Sequence, residues 1–173
     1  MIETANLSLR RPEIGDLDAI HAMRSDLEVV RFLGGRALSR EEAWHRLTRL
    51  VGQWALRGYG MFAVVEKSSG ALVGEVGLFD GCRGLSPDFD DAPEAGWILA
   101  GAAHGKGYAG EAAAAAHRWF AATHGERRSV CIIAPGNLAS FRVAQKLGYK
   151  SFGQVEYQNG PVVMLERIPG RSV

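Results

Sequence analysis

The stretch HGKGYAGEAAAAAH, residues 104–117, sets three glycines among small residues and then runs without a break into helix-forming sequence. A chain that strips side chains from the start of a helix leaves few architectures open. EAGWILAG (94–101) ahead of it reads as a strand, a helix is predicted over 107–124, and SVCIIA (129–134) behind it is the continuous apolar run of a buried strand. A strand feeding a glycine turn and then a helix aims several unpaired main-chain N–H groups, with the positive end of the helix dipole, at one point. That is an anion site by construction. Gly105, Gly107, Ala109 and Gly110 keep bulky side chains out of the approach, Lys106 can add charge at the rim, and the alanines at 112–116 let the helix sit close to a sheet.

The rest of the chain supplies that sheet. LSLRRP (7–12) alternates apolar and polar residues and reads as a short strand closed by Pro12 and Gly15. Asp16 is positioned to cap a helix over DLDAIHAMRSD, and LEVVRFL forms a second short helix ending at Gly34-Gly35. Ser39 with Glu42 forms a capping box for a longer helix that Gly58 closes. The period then changes. MFAVVEK (61–67) and ALVGEVGLFD (71–80) read as an antiparallel hairpin, GCRGLSPDFDDAP (81–93) as a loop, and Asn137 to Leu147 as a short helix ending at Gly148. YKSFGQVEY and GPVVMLERI pair as a last hairpin around Asn159-Gly160. At 173 residues the chain is most simply one domain. The order of elements predicts an α/β (α+β) fold with one mixed, mostly antiparallel twisted sheet of about seven strands and helices on both faces.

Three ligands could use the turn. Gly105-Lys106-Gly107-Tyr108-Ala109-Gly110 spells G-x-G-x-x-G, but a mononucleotide P-loop needs Ser or Thr after Gly-Lys and here meets Gly107. A dinucleotide fold wants an acid at the end of the next strand, and SVCIIA is followed by Pro135-Gly136-Asn137. The pyrophosphate of coenzyme A is the third candidate. Residues 7–168 as a whole resemble the GNAT acetyltransferase superfamily, and within it the bacterial ribosomal-protein N-acetyltransferases of the RimJ/RimL type. The likeness rests on LSLRRPEIGDLDAI, on E-A-G-W-I-L before the turn, on H-G-K-G-Y-A-G-E-A at it, and on N-L-A-S-F-R-V-A-Q-K-L-G-Y after it.

This resemblance implies a single GNAT-like domain over 7–168, acetyl-CoA as cosubstrate, and direct acetyl transfer to a primary amine, a protein N-terminal α-amine or a small molecule, in a ternary complex. It lays the pyrophosphate on His104, Gly105, Lys106, Gly107, Tyr108 and Ala109, with Gly110 beside them; His104 departs from the family's usual Gln or Arg. It splays Trp97–Ala100, including Ile98 and Leu99, from Cys131–Ala134, with the pantetheine arm in the gap, and sets Asn137 and Ser140 at the coenzyme arm and thioester end. Asn137 is equally a good helix N-cap, and both roles can coexist. Two rival readings stay open: a non-catalytic acyl-CoA-binding module, and a nucleotide-dependent oxidoreductase using the literal glycine fingerprint.

Acetyl transfer needs a neutral amine, stabilisation of the developing oxyanion and protonation of the thiolate. Glu75 and Glu94 are the candidate bases. Glu75 shares a strand face with Val73 and Phe79, so its carboxylate is expected either to be desolvated with a raised pKa or to pair with an arginine; Glu94 stands at the mouth of the strand before the turn. The place of the family's acid, a tyrosine, falls on Ala144, so either Ser140 hydrogen-bonds the leaving sulfur or the thiolate, with a free-thiol pKa of about 8.5, departs with little help, and Tyr149 is expected to pack. Asp88, Asp90, Asp91 and Glu94 form either a solvated loop or a lure for a cationic amine.

Composition limits the partners. A formal net charge of +1 provides no field to gather nucleic acid, and the five histidines, at 21, 45, 104, 117 and 124, lack ligand spacing, so no metal is expected. No apolar run approaches the roughly 20 residues of a membrane helix. Cys82 and Cys131 make no disulfide framework and MIETANLSLRRPE lacks a secretory layout, so a reducing cytoplasm is the expected location.

Overall fold

Glycine turns, apolar alternation and a helix of small residues come together in one layered sheet, seen in a computed structural model that describes residues 1–158 and 160–170. Its strands are β1 (Ile2–Glu3), β2 (Leu7–Arg10), β3 (Met61–Glu66), β4 (Leu72–Phe79), β5 (Glu94–Leu99), β6 (Ser129–Ile133), β7 (Lys150–Tyr157) and β8 (Gly160–Arg167). They lie in the order β1-β2-β3-β4-β5-β6-β8-β7, and every neighbouring pair is antiparallel except β5 with β6. The helices are α1 (Leu17–Ser25), α2 (Leu27–Val30), α3 (Arg40–Arg57), α4 (Pro87–Asp90), α5 (Tyr108–His124) and α6 (Leu138–Lys146).

The two faces of the sheet are covered for different reasons. On one, α5 presents Ala112, Ala113, Ala115 and Ala116, all buried, to Val64, Val73 and Val76, and the absence of long side chains lets the helix lie close to the strands. Ala144 of α6 joins the same side through a cluster with Phe120, Cys131 and Tyr149. On the other face, Ile20 of α1 packs with Ala43, Leu47 and Leu50 of α3 and with Met61. The expected capping box starts α3: Ser39 Oγ accepts from Glu42 N–H at 3.2 Å, and Glu42 accepts from Ser39 N–H at 2.8 Å.

Four local expectations need correction. The sheet has an eighth strand, β1, too short to show an alternation; its turn into β2 is held by Glu111 of α5, which accepts from Thr4 Oγ1 at 2.6 Å and from Asn6 N–H at 2.8 Å. Asp16 does not cap α1: its carboxylate is taken by Arg10 at 2.5 Å and by Glu13 N–H at 2.8 Å, a stronger charged partnership. The segment 81–93 is not all loop, since Ser86 accepts from Phe89 N–H at 3.2 Å and caps the one-turn α4, with Phe89 buried beneath it. Tyr149 packs as expected, but β7 begins one residue later. Asn159, half of the expected last turn, lies outside the described residues. Among the described residues, no helix is long and apolar enough to cross a membrane.

Beneath α5 a buried polar chain joins three elements. His117 Nδ1 lies 2.7 Å from the Ala113 carbonyl and so carries the hydrogen, which makes Nε2 the acceptor for Tyr149 Oη at 2.9 Å; Ser129 Oγ, 2.7 Å away, donates to Tyr149. Burial drives the His117 pKa down to about 4 from 6.5. Between those values the unfolded chain binds the extra proton and the folded one does not, so stability falls as pH drops through that window, by about 3 kcal/mol at about 1.4 kcal/mol per unit. Urea unfolding of His117→Gln at several pH values should show a flatter decline from pH 6.5 to 4 than the parent. An identical decline would mean that His117 is not held neutral.

Candidate functional site

After β5 the chain makes a short 3-10 turn, Gly101–Ala103, and reaches the glycines. Gly105 and Gly107 have φ of +77° and +80°, a left-handed conformation that strains any residue with a side chain. The first main-chain bond of α5 runs from Glu111 N–H to Gly107 O at 3.1 Å. Among the described residues, the amides of Gly105 to Gly110 therefore find no main-chain acceptor. A Cβ built on Gly110 would meet nothing within 4 Å, so the space before the amides is open. These open amides stand where the anion cradle is expected, and the rim differs from expectation in one respect. Lys106 Nζ is 3.0 Å from Glu66, and Tyr108 Oη donates to the same oxygen at 2.8 Å, so the lysine charge is balanced rather than free. Hydrogen bonds from Ser69, Tyr108 and Lys106 hold Glu66 at about 2.

The second element of the site is a split in the sheet. β5 and β6 share a single register pair, Glu94 with Val130, and separate beyond it. The bond from Ala100 N–H to Val73 O at 2.9 Å sets the alternation along β5, directing the main-chain groups of Ile98 to β4 and those of Trp97 and Leu99 into the gap. His104 Nε2 sits 3.0 Å from the Leu99 carbonyl, so the departure from the family's first motif residue ties the turn back to the strand. The Ile98 side chain lines the resulting cleft, whose volume is 1590 Å³.

Ser140 stands across the gap. Asn137 Oδ1 accepts from Ser140 N–H at 3.1 Å, capping α6, and Trp97 Nε1 donates to Ser140 Oγ at 3.2 Å. The serine oxygen accepts there, which leaves its own hydrogen to point at something in the cleft. Ala144 is fully buried, and Tyr149 is committed to His117 and Ser129.

Glu94, Gly96 and Ile98 face the α1 and α3 side of the sheet, and Glu75 lies opposite Ile98 on the same face. Glu94 lines the cleft, whereas Glu75 lies buried behind Arg24 and Arg46, which line it, so the two candidate bases are in different states. Glu75, 1% exposed on a central strand, accepts from Arg46 Nε at 2.9 and 3.1 Å, from Arg46 Nη2, and from Arg24 Nη2 at 3.2 Å. Burial alone would raise its pKa, but Arg46 and Arg24 outweigh burial and hold it below the usual range, so of the two expectations the pairing with arginine is found and the upward shift is not. Glu94, 3% exposed, takes a two-pronged bond from Arg83 at 2.6 and 2.7 Å. There burial wins over Arg83 and the pKa is raised.

Among the loop aspartates, Asp90 has a structural task. Asp90 accepts from Arg83 N–H at 2.8 Å and from Gly84 N–H at 3.1 Å, shaping the loop that delivers Arg83 to Glu94, and Asp88, Asp90 and Asp91 are absent from the described residues lining the cleft. What lines that end, unseen in the sequence, is arginine: Arg24 from α1, Arg46 and Arg49 from α3, and Arg83. Burial and the adjacent Arg46 bring the Arg24 pKa down to about 10, and the same two causes lower that of Arg49. The only hint in the sequence was Arg46 and Arg49, one helical step apart beside Leu47 and Leu50.

Comparison with known proteins agrees with this geometry. The family model described as "Acetyltransferase (GNAT) domain" matches residues 6–150. A GNAT-family acetyltransferase structure from Bordetella pertussis is 32% identical, superposes with a TM-score of 0.87, and is covered over 98% of its length by 96% of this chain. The uncharacterized N-acetyltransferase YnaD of Bacillus subtilis (strain 168) is 26% identical over 152 residues, 88% of this chain and 84% of YnaD. The fold is shared by a spermidine N-acetyltransferase from Vibrio cholerae, solved with CoA and spermine, at 20% identity and a TM-score of 0.73 over 95% of this chain and 96% of that one.

Gly110→Glu gives a direct reading of the cradle. The side chain enters open space on a helix, so thermal stability should hold or rise by up to about 1 kcal/mol, since glycine is a poor helix former and an acid suits a helix start. Coenzyme A affinity, followed by calorimetry, should fall at least about tenfold because a carboxylate then faces the diphosphate. Unchanged affinity would exclude these amides as the anion site.

Proposed function

The chain belongs to the GNAT acetyltransferase family and is an acetyl-CoA-dependent acyltransferase; on that premise we propose that it moves acetyl directly from acetyl-CoA to a primary amine in a ternary complex, as a member of the RimJ/RimL-type branch. The observation that carries this reading is the run of unpaired amides from Gly105 to Gly110 opening onto the split between β5 and β6, with the Ser140 hydroxyl at its far side. The diphosphate of coenzyme A fits the amides, and the pantetheine arm fits the main-chain groups of Trp97 and the N–H of Leu99 that face the gap. Asn137 shapes the arm's path by capping α6. The branch assignment rests on LSLRRPEIGDLDAI and NLASFRVAQKLGY.

In the transfer, the amine nitrogen bonds to the thioester carbonyl carbon, the carbon–sulfur bond breaks, one proton leaves the nitrogen and one reaches sulfur. Glu94, with its pKa raised by burial, takes the amine proton directly or through water. Ser140 donates its free hydrogen to the sulfur as charge gathers there. Glu75, kept ionised between two arginines, serves to hold them in position. The demand on the base depends on the amine. An α-amine with a pKa of about 7.7–8.0 is partly neutral at pH 7.4, whereas a lysine-type amine near 10.4 asks for roughly 4 kcal/mol more. The oxidoreductase reading falls away, because β5 and β6 are the one parallel pair in an otherwise antiparallel sheet rather than part of a βαβ series.

Thiol release from acetyl-CoA over a panel of amines tests the reading. Ser140→Ala should lower kcat by about tenfold or more with the KM for acetyl-CoA little changed, and parental rates would remove Ser140 from the chemistry. Glu94→Gln should lower kcat by about a hundredfold and abolish the acidic limb of the kcat profile at saturating amine, which arises because the parent loses its base as Glu94 protonates. An acidic limb of kcat that survives the substitution would rule Glu94 out as the base.

A further inference from the structure

At the α1 and α3 end of the cleft, four guanidiniums, Arg24, Arg46, Arg49 and Arg83, meet two buried carboxylates, Glu75 and Glu94. Both carboxylates are ion-paired, Glu75 with Arg24 and Arg46, and Glu94 along one edge with Arg83. The other acids lining that end, Glu28 and Asp80, are engaged by Arg31 and Arg57. Cationic capacity is left over. Arg49 has no carboxylate partner among the described residues, and Arg24, only 7% exposed, keeps Nε buried without any hydrogen-bond partner. Arg24 lines the cleft with its buried Nε unsatisfied and Arg49 lines it without a salt-bridged carboxylate, so the pair carries positive charge that an anionic group of a ligand can neutralise. A polycation would find no free carboxylate here and would face like charge.

We propose that the acceptor is a primary amine that also carries a carboxylate, and that Arg24 and Arg49, beside Arg46, receive that carboxylate while the amine faces Glu94 and the thioester. This deepens the acetyl-transfer reading and rests on it. The acceptor end then differs in kind from one that takes spermine. A free amino acid and a protein N-terminus followed by an acidic residue share this chemistry.

The test uses matched acceptors: glutamate and the dipeptide Ser-Glu, each against its fully amidated form, with spermidine as the polycation. By thiol release, the carboxylate forms should show kcat/KM roughly tenfold or more above their amides, through KM, as a charge-assisted bidentate contact implies. Preference for glutamate indicates a small metabolite and preference for Ser-Glu a protein terminus. In Arg49→Gln, an exposed site where folding is not at stake, the ratio within each pair should shrink toward one. Amides or spermidine used as well as the carboxylates would overturn the proposal while leaving acetyl transfer intact. If no amine is acetylated, the acetyl-transfer reading fails first, and calorimetric titration of the CoA-bound protein with the same pairs still decides the anion site: tighter binding of the carboxylate forms upholds it and equal binding refutes it.

Discussion

One register pair, Glu94 with Val130, is all that joins β5 to β6, and the rest of the site follows from that economy of pairing. Were the two strands zipped along their length, their main-chain groups would satisfy each other and the sheet would be closed. Because they part, Trp97 presents its main-chain groups and Leu99 its N–H to a gap, while His104 takes the Leu99 carbonyl, and α5, which starts just beyond β5, presents its amides to the same opening. A long ligand with a charged diphosphate and an amide-bearing arm satisfies both sets at once. The alanine face of α5 is the packing counterpart: small residues bring the helix, and so its N-terminus, close enough to the sheet to share the cleft.

The two sides of the cleft are electrostatically distinct. At the turn, positive potential comes from main-chain dipoles, and the nearby lysine is neutralised by Glu66. At the far end it comes from side chains, with Glu75 buried as an ionised hub between Arg24 and Arg46. Burying one carboxylate with two guanidiniums is costly unless geometry and hydrogen bonds are good, and removal of one partner leaves charge uncompensated. Glu75 is thus better suited to fixing arginines than to moving protons, whereas Glu94, whose pKa burial raises against the pull of Arg83, keeps a usable basicity.

The glycine turn, the strand before it and the capped helix after the split were legible because each depends on local chemistry: positive φ at Gly105 and Gly107, the alanine run, and Asn137 three residues before Ser140. The capping box of α3 was legible for the same reason. What the sequence hid was nonlocal. Arg46 and Arg24 lie 29 and 51 positions from Glu75, so nothing in its strand announces that its pKa is lowered rather than raised. Asp16 looks like an N-cap until Arg10 claims it, and the aspartates of 88–91 look like a charged mouth until Asp90 is seen holding the Arg83 loop. β1 escaped because two residues carry no period. For Glu75 a partner distant in sequence outweighed the local preference, and for Asp16 and Asp90 a partner six or seven positions away did.

The most direct measurement is a crystal structure with acetyl-CoA bound. The diphosphate oxygens should lie within hydrogen-bond distance of the amides between Gly105 and Gly110, and the arm should run between β5 and β6 with its sulfur beside Ser140. A carrier bound on another surface, or one whose diphosphate leaves those amides untouched, would contradict this arrangement of the site.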